Sequence, residues 1–319
     1  MALLPAMAWA DVEINETNFP DEKFRSYLLS QSYGKDGVLT DKEIAGIQRI
    51  DVYRKGIRSL KGIELFTTLT DLYCFGNELT TLDLSQNTGL KYLSCEDNQL
   101  TTLDVSKCTV LEYLLCDNNH LTTLDVSMNT KLKVLDCPDN QLTTLDLSQN
   151  TELDYLNCCG NQLTTLDVSK NTELTGLACG ANHLTTLDVS KNIWLETLYC
   201  YSNQIKGAGM DALVKSLPTV FGGWLYVSWY ENEQNEMTTT QVAAAKAKGW
   251  FPLYFDGKEG MEYTGSVPDG ISSPESSHEG KDTVYNLNGQ RISVNSVFSA
   301  SSVLPKGVNI VDGQKILVK

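Results

Sequence analysis

Apolar and polar residues recur along the middle of the chain with a period of 21 residues. Seven cysteines lie 21 residues apart, and each has a leucine five residues before it and an asparagine three residues after it. A more degenerate unit comes first, with Ile47, Ile50, Val52 and Ile57 in the apolar slots, which gives eight repeats over residues 47–206. Because one such unit cannot bury an apolar face alone, the pattern predicts stacked repeats around a continuous core.

Each repeat is predicted to contain one short strand, whose residues alternate between the core and the outside. In the unit L-x-x-L-x-C-x-x-N-x-L, Leu114 and Cys116 point inward, whereas Tyr113, Leu115 and Asp117 point outward. The asparagine column should turn the chain while its amides satisfy backbone groups of adjacent turns. A second polar column is formed by Asn87, Asn129, Asn150, Asn171 and Asn192, with Cys108 in place of one asparagine.

This repeat resembles the leucine-rich repeat, and more narrowly the 21-residue type of internalin-J-like bacterial surface proteins, in which cysteine replaces one leucine and forms a ladder. The resemblance covers about half of the chain. It implies an α/β solenoid, a right-handed superhelix whose parallel β-sheet lines the concave face. It says little about the ligand, because one fold hosts many functions.

The segments before the repeats are predicted to be a signal-peptide remnant at residues 1–10 and a helical cap at residues 11–46. The cap contains a helix beginning near Pro20 and then SYGKDGVLTDKE, which looks like an eroded EF-hand loop. Only Asp36 and Glu43 would bring charge to a calcium ion there, and calcium takes six to eight oxygen ligands. We therefore expect a structural relic, with a calcium site at Asp36 and Glu43 as the alternative.

The segments after the repeats are predicted to be a small α/β cap at residues 207–264, a linker at 265–281 and a β module at 282–319. The cap holds helical, strand-like, helical and strand-like runs in turn, and its aromatic residues are interpreted as core. The phrases VYNLNGQRI and LPKGVNIVDGQKILVK resemble the C-terminal sorting domains of Bacteroidetes secreted proteins. That resemblance implies secretion, although the segment is shorter than the usual domain.

The net charge of −15 argues against binding nucleic acid or an anionic membrane surface. No run of 18 apolar residues is present, so no transmembrane helix is expected. Neither a metalloprotease helix, a nucleophile elbow, a phosphate loop nor a CxxC pair occurs. We expect no enzyme and no cofactor, and a monomer that is secreted or at the cell surface.

The ladder cysteines are predicted to be reduced, buried thiols, because parallel side chains in neighbouring strands do not face each other as a disulfide requires. Cys159 follows the ladder residue Cys158, so it should point outward. A repeated aspartate forms a further column, with solvated or backbone-bonded carboxylates favoured over a calcium ladder. Its members are Asp83, Asp104, Asp125, Asp146, Asp167 and Asp188.

The outward side of the strands is the predicted binding face, because its columns are rich in aromatic residues with acidic neighbours. The predicted anchors are Tyr73, Phe75, Tyr92, Tyr113, Leu115, Tyr155, Tyr199 and Tyr201. The predicted acids are Asp71, Glu96, Asp117, Asp136 and Asp154. The repeat with Gly176, Ala178 and Gly180 is expected to end the face near Tyr155. A protein ligand is the first hypothesis, and a glycan or a passive spacer role are the alternatives.

Overall fold

The structure, a computed structural model, describes residues 11–229, 233–255, 260–266, 307–311 and 314–318. Its helices are α1 (Glu22–Ser30), α2 (Asp41–Gly46), α3 (Ala208–Ser216) and α4 (Thr239–Ala247), with a 3-10 turn at Ile63–Leu65. The strands before and within the repeats are β1 (Val12–Glu13), β2 (Val38–Leu39), β3 (Arg49–Asp51), β4 (Asp71–Tyr73), β5 (Tyr92–Ser94), β6 (Tyr113–Leu115), β7 (Val134–Asp136), β8 (Tyr155–Asn157), β9 (Gly176–Ala178) and β10 (Thr197–Tyr199). The later strands are β11 (Gly223–Trp229), β12 (Trp250–Phe255), β13 (Gly260–Glu262), β14 (Gly307–Val311) and β15 (Gln314–Val318).

The chain forms two compact units built of stacked leucine-rich-repeat turns. The first contains the chain up to Lys133 together with Asp139–Asn150, and the second contains Val134–Pro138 and the chain from Thr151 onward. Strands β3 to β6 of the first unit pair in parallel and in chain order. Strands β7 to β12 of the second unit do the same, and β13 pairs antiparallel with β12.

The N-terminal cap of the first unit is held by helix α1, as the sequence predicts. The Asp21 side chain caps the helix by accepting from the backbone N–H groups of Lys23 and Phe24. Phe24 and Leu28 are buried. The Tyr27 hydroxyl accepts from the backbone N–H of Asp51 at 3.2 Å, so the cap satisfies a donor on the outer edge of β3.

The leucine and cysteine columns form the core of both units. Every ladder leucine and every ladder cysteine has zero exposure, for example Leu93 and Cys95 in the first unit and Leu177 and Cys179 in the second. Burying a leucine side chain fully contributes about 1.5–3 kcal/mol. These two columns therefore contribute to the stability of every repeat, together with further buried columns such as Leu100 and Leu121.

The asparagine column links each turn to its neighbours through buried hydrogen bonds. Oδ1 of Asn98 accepts from the backbone N–H of Leu79 at 3.0 Å, and its Nδ2 donates to the carbonyls of Cys74 and Cys95 at 3.1 and 3.0 Å. The expected role of this column is thus confirmed. The second column also bonds between turns, and at Cys108 a sulfur contact of 3.6 Å to the carbonyl of Asn87 replaces the amide.

The residue before each ladder asparagine adopts a left-handed backbone conformation. The φ angles lie between 49° and 51° at Asp97, Asn118, Asp139, Ala181 and Ser202, and glycine occupies the same place at Gly76 and Gly160. Arg54 has the same conformation in the first repeat, where Lys55 stands in place of the asparagine. Residues with a Cβ are strained in this conformation, by roughly 1–2 kcal/mol. The turn therefore tolerates non-glycine residues only under the constraint of the stacked repeats.

The C-terminal cap of the second unit is built from α3, β11, α4 and β12, which matches the predicted order of elements. Helix α4 begins with a capping box between Thr238 and Gln241. The Gln241 amide also donates to Asp211 of α3 at 2.7 Å. Trp250 is 1% exposed and belongs to the core, as interpreted from the sequence.

Other aromatic residues of this cap are exposed, which corrects the prediction that they are core. Trp224, Trp229 and Phe251 are 36%, 38% and 51% exposed. Trp224 pairs with Phe251 ahead of the register shift between Tyr226 and Ser228 and alternates with the buried Leu225, so it faces outward, whereas Trp229 follows the shift. Trp229 consequently lies beside Tyr201 rather than below the sheet.

The predicted C-terminal hairpin is present, with Val311 paired to Gln314 across the predicted Asp-Gly turn. The predicted signal-peptide remnant, most of the linker and the strand predicted at residues 284–287 lie outside the described residues. In the described part of the chain, no helix is long and apolar enough to cross a membrane.

Candidate ligand-binding face

The first unit carries a run of stacked rings on the outward side of its strands, here called the first patch: Tyr53, Tyr73, Phe75, Tyr92 and Tyr113. The ring centroids of Tyr53 and Phe75 are 4.8 Å apart, those of Tyr73 and Tyr92 are 4.8 Å apart, and those of Tyr92 and Tyr113 are 5.6 Å apart. Stacking in successive turns follows from the spacing of neighbouring strands, which is about 4.8 Å.

Two arginines cover part of the first patch. The guanidinium carbon of Arg49 lies 4.1 Å from the ring centroid of Tyr73, and that of Arg54 lies 5.7 Å from the ring centroid of Phe75. Desolvation raises the pKa of the Tyr73 hydroxyl, although Arg49 opposes the shift. The hydroxyl of Tyr73 therefore stays protonated near neutral pH and is available as a donor.

Three other predicted residues of the outward side are buried, which corrects their predicted roles. Leu115 is 5% exposed and Asp117 is 1% exposed, so neither is the exposed anchor or charged rim that was expected. Glu96 is 3% exposed and accepts from the Ser94 hydroxyl. Neighbouring strands lie close enough for large side chains to cover short ones on the same face.

The second unit carries a corresponding set of rings, here called the second patch: Tyr155, Tyr199, Tyr201, Tyr226 and Trp229. The Tyr199 and Tyr226 rings stack at 4.5 Å, and the Tyr201 and Trp229 rings lie 4.8 Å apart. Burial raises the pKa values of Tyr155 and Tyr199. Sequence reasoning missed Tyr53, Tyr226 and Trp229, although Tyr53 could have been found because it stands one repeat before Phe75.

The small-residue repeat does not end the face, contrary to the prediction. A Cβ on Gly176 would lie 2.7 Å from Cδ2 of Tyr155, and one on Gly180 would lie 2.7 Å from Cε2 of Tyr201. The rings thus lie directly over the two glycines. Glycine at these positions lets the aromatic surface of the second unit continue from Tyr155 to Tyr201.

The acids of the second unit differ in their exposure. Asp136 is 5% exposed and is not a charged rim, which corrects the prediction for it. Asp154 is half-buried and accepts from the Thr175 hydroxyl at 2.6 Å. The charge available to a ligand at this face is therefore smaller than the sequence predicts.

The nine cysteines are all free thiols. Burial raises the pKa values of the ladder thiols, and it raises the pKa of Cys108 to about 11. Thiols with raised pKa values are poor nucleophiles. Cys159 is half-buried, as its outward position predicts, and Sγ lies 3.9 Å from the Tyr201 hydroxyl.

Two further predicted polar groups are engaged in local hydrogen bonds. Glu43 forms the capping box of α2 with Thr40, and Asp36 accepts from the backbone N–H of Val38 at 3.1 Å. In the aspartate column the carboxylates are backbone-bonded, as expected, since Asp104 accepts from the N–H of Ser106 at 2.9 Å. No group of three or more metal-ligating side chains occurs within the described residues.

The chain is similar to proteins named internalins. It is 44% identical to internalin J of Listeria monocytogenes serotype 4b (strain F2365) over 71 residues, which make up 22% of this chain and 8% of that protein. The chain thus spans less than a tenth of that relative. No family model matches it.

Solved structures give a similar result. The functional domain of InlJ from Listeria monocytogenes, which includes a cysteine ladder, is 30% identical, with 77% of this chain and 61% of that chain covered and a TM-score of 0.46. Internalin C2 of Listeria monocytogenes is 22% identical, with 63% and 92% covered and a TM-score of 0.55. The second likeness shows the leucine-rich-repeat fold. The resemblance of the C-terminal segment to Bacteroidetes sorting domains stays a prediction.

Proposed function

We propose that this chain is a non-catalytic secreted or cell-surface protein that binds a protein ligand through the outward face of its repeat strands, in adhesion or host interaction. The observation that carries the proposal is the pair of stacked aromatic patches, one on each unit. Similarity to internalin J over part of the repeats supports the same class of role.

The patches have the properties of a protein-recognition surface. Their rings pack against one another in adjacent turns, for example Tyr73, Tyr92 and Tyr113, and so form a continuous surface rather than isolated rings. Aromatic residues are enriched among the residues that contribute most to protein interfaces. A preformed ring stack also loses little conformational freedom on binding, which favours affinity.

The test compares two triple variants of the full chain in quantitative pull-downs from host and bacterial surface proteins. One variant carries Tyr92→Ser, Tyr113→Ser and Tyr155→Ser, all on the patches. The control carries Lys107→Ser, Met128→Ser and Gln149→Ser, which replace exposed residues at one equivalent position of three consecutive repeats. Circular dichroism should show the same fold for both.

The proposal expects a ligand that the control variant and the unchanged chain retain and that the patch variant loses. Loss by at least about tenfold corresponds to about 1.4 kcal/mol, which is within the range for interface anchors. A ligand retained by the patch variant would contradict binding through this face. A spacer protein would retain no partner in any of the three samples.

A further inference from the structure

A second aromatic surface lies outside both patches, at the amino-terminal ends of the last parallel strands of the second unit. It consists of Ile193, Trp194, Phe221, Trp224 and Phe251, here called the aromatic ledge. Their exposures are 61%, 60%, 107%, 36% and 51%. Large apolar side chains exposed together on a soluble protein mark a binding site more often than isolated ones do.

The ledge arises where one repeat departs from the others. Leu195 donates its backbone N–H to the carbonyl of Asn192 at 3.1 Å, so Ile193 and Trp194 occupy the two central positions of a turn. The same two positions in the preceding repeats hold Thr88-Gly89, Thr109-Val110, Thr130-Lys131, Thr151-Glu152 and Thr172-Glu173. The core does not require Ile193 and Trp194, since both are more than half exposed.

The register of the strands relates the positions of the ledge residues to one another. Thr197 pairs with Trp224, so Trp194 and Phe221 stand three residues before paired positions of adjacent strands. Trp224 pairs with Phe251 in the next strand, and their ring centroids are 6.0 Å apart. Trp224 and Phe251 are thus in ring contact, and Trp194 and Phe221 stand at corresponding positions ahead of two adjacent strands.

The ring faces of the ledge differ from those of the patches. In the second patch, Tyr199 and Tyr226 stack at 4.5 Å and nearly parallel, so each ring covers a face of the other. Trp194 and Phe221 stack on no other ring within the described part of the chain. A ligand that binds by lying flat on an aromatic ring requires such an open face.

The polar groups around the ledge are hydroxyls and charges of both signs. Glu173 and Glu196 are exposed beside it, Thr197 is half-buried, and Lys191 is exposed three residues before Trp194. Carboxylates accept hydrogen bonds and hydroxyls both donate and accept, which suits a ligand rich in hydroxyl groups. The two glutamates and the net charge of −15 disfavour an anionic ligand.

We infer that the aromatic ledge binds a neutral oligosaccharide. The apolar C–H faces of its pyranose rings would lie on Trp194 and Phe221, while Glu173 and Glu196 would accept from its hydroxyl groups. Rings in neighbouring turns suit a chain of sugars rather than a single sugar. Trp224 and Phe251 continue the outward column of Tyr155, Gly176 and Thr197, so the ledge adjoins the proposed protein-binding face, whereas Ile193 and Trp194 lie in a turn before the strands and can be replaced separately.

The test removes two residues of the ledge by replacing them with the residues that the preceding repeats have at the same positions. The double variant Ile193→Thr and Trp194→Glu restores the Thr-Glu pair of the two preceding repeats, so it should fold normally. Val110→Glu is the matched control, because Val110 is 40% exposed and holds the same position in an earlier repeat. The probes are cellohexaose, chitohexaose and mannohexaose, with an anionic oligogalacturonate of equal length, measured by calorimetry and tryptophan fluorescence.

The inference expects at least one neutral hexasaccharide to bind the unchanged chain and the Val110→Glu variant alike, and the double variant at least about tenfold more weakly. Which of the three binds would identify the source of the glycan. The inference is overturned if no neutral hexasaccharide binds, if only the anionic one does, or if the double variant binds as well as the unchanged chain. Loss of a protein ligand instead of a sugar from the double variant would also overturn it.

Discussion

The buried columns and the outward columns of the same repeats show opposite behaviour along the sequence. Inside, leucine, cysteine and asparagine recur with little variation, and the ladder asparagines make the same kinds of hydrogen bond in both units. Outside, equivalent positions hold residues as different as Asp71, Tyr92 and Gly176. The buried residues that stack the repeats are therefore nearly constant, whereas the outward residues differ from one turn to the next. Residues that depart from the repeat pattern are thus the best candidates for function.

The largest expected effect comes from breaking a buried column. Asn140→Ala would leave the backbone N–H of Leu121 and the carbonyl of Cys116 without the bonds that Asn140 makes at 2.9 and 3.0 Å. An unsatisfied buried polar group costs about 1–3 kcal/mol, so we expect a loss of that order in the free energy of unfolding. Urea denaturation measures it.

The control for this variant is Asn157→Ala, which removes the same amide from the outward face. A smaller loss, about 0.5–1 kcal/mol, is expected there, since Asn157 is half-buried and its Oδ1 accepts a single bond, from the backbone N–H of Cys159 at 3.1 Å. Equal losses in the free energy of unfolding at Asn140 and Asn157 would contradict the stronger dependence of stability on the buried asparagine column than on the outward face.

A smaller effect is expected at the left-handed position before the asparagine column. Ala181 has a φ of 51°, whereas Gly160 holds the equivalent place in the preceding repeat with a φ of 62°. Ala181→Gly should therefore stabilise the fold by about 0.5–1 kcal/mol, and Gly160→Ala should destabilise it by a similar amount. Thermal or urea unfolding that gives the same sign for both would contradict the strain at this turn.

The smallest effect concerns the exposed aspartates. Hydrogen bonds from Ser106 lower the pKa of Asp104, and those from Ser169 lower the pKa of Asp167. A carboxyl whose pKa is lower in the folded state stabilises the fold above its unfolded pKa, and this contribution is lost as the pH falls through the folded pKa.

Acidification below pH 3.8, the ordinary pKa of these groups, should therefore lower the unfolding temperature. The double variant Asp104→Asn and Asp167→Asn should lose less of its unfolding temperature between neutral and acidic pH than the unchanged chain. Identical pH profiles of the two proteins would show that these turns contribute nothing to acid sensitivity.

The sequence predicts the repeat and its core well because strict periodicity reports burial directly. The ladder residues, the helix caps at Asp21 and Thr238 and the order of elements in the C-terminal cap all follow from such local signals. The exposure of residues on the outward side of the strands was predicted less well. The exposure of a side chain depends on whether a neighbouring side chain covers it. The rings of Tyr155 and Tyr201 extend over glycines, and the short acid Asp117 is buried.

The ledge was missed for a different reason. Aromatic residues in a short cap were interpreted as core, since most large apolar residues are buried. The register shift beside Tyr226 and the exposure of Trp224 and Phe251 depend on tertiary packing that no short window of sequence contains. The sequence did contain one signal for the ledge: Ile193 and Trp194 replace the Thr-Glu pair that the two preceding repeats have at these positions.

The hydroxyl of Tyr27 on the backbone of Asp51 has a consequence for assembly. The terminal repeat of a stack has one face that no other repeat of the chain covers. A repeat of another molecule could stack on that face. With its cap in place, the backbone N–H of Asp51 is already bonded to the Tyr27 hydroxyl, so the open edge of β3 offers one donor fewer to a repeat of another molecule. A chain beginning at residue 47 would lack this cap, and we expect such chains to associate end to end.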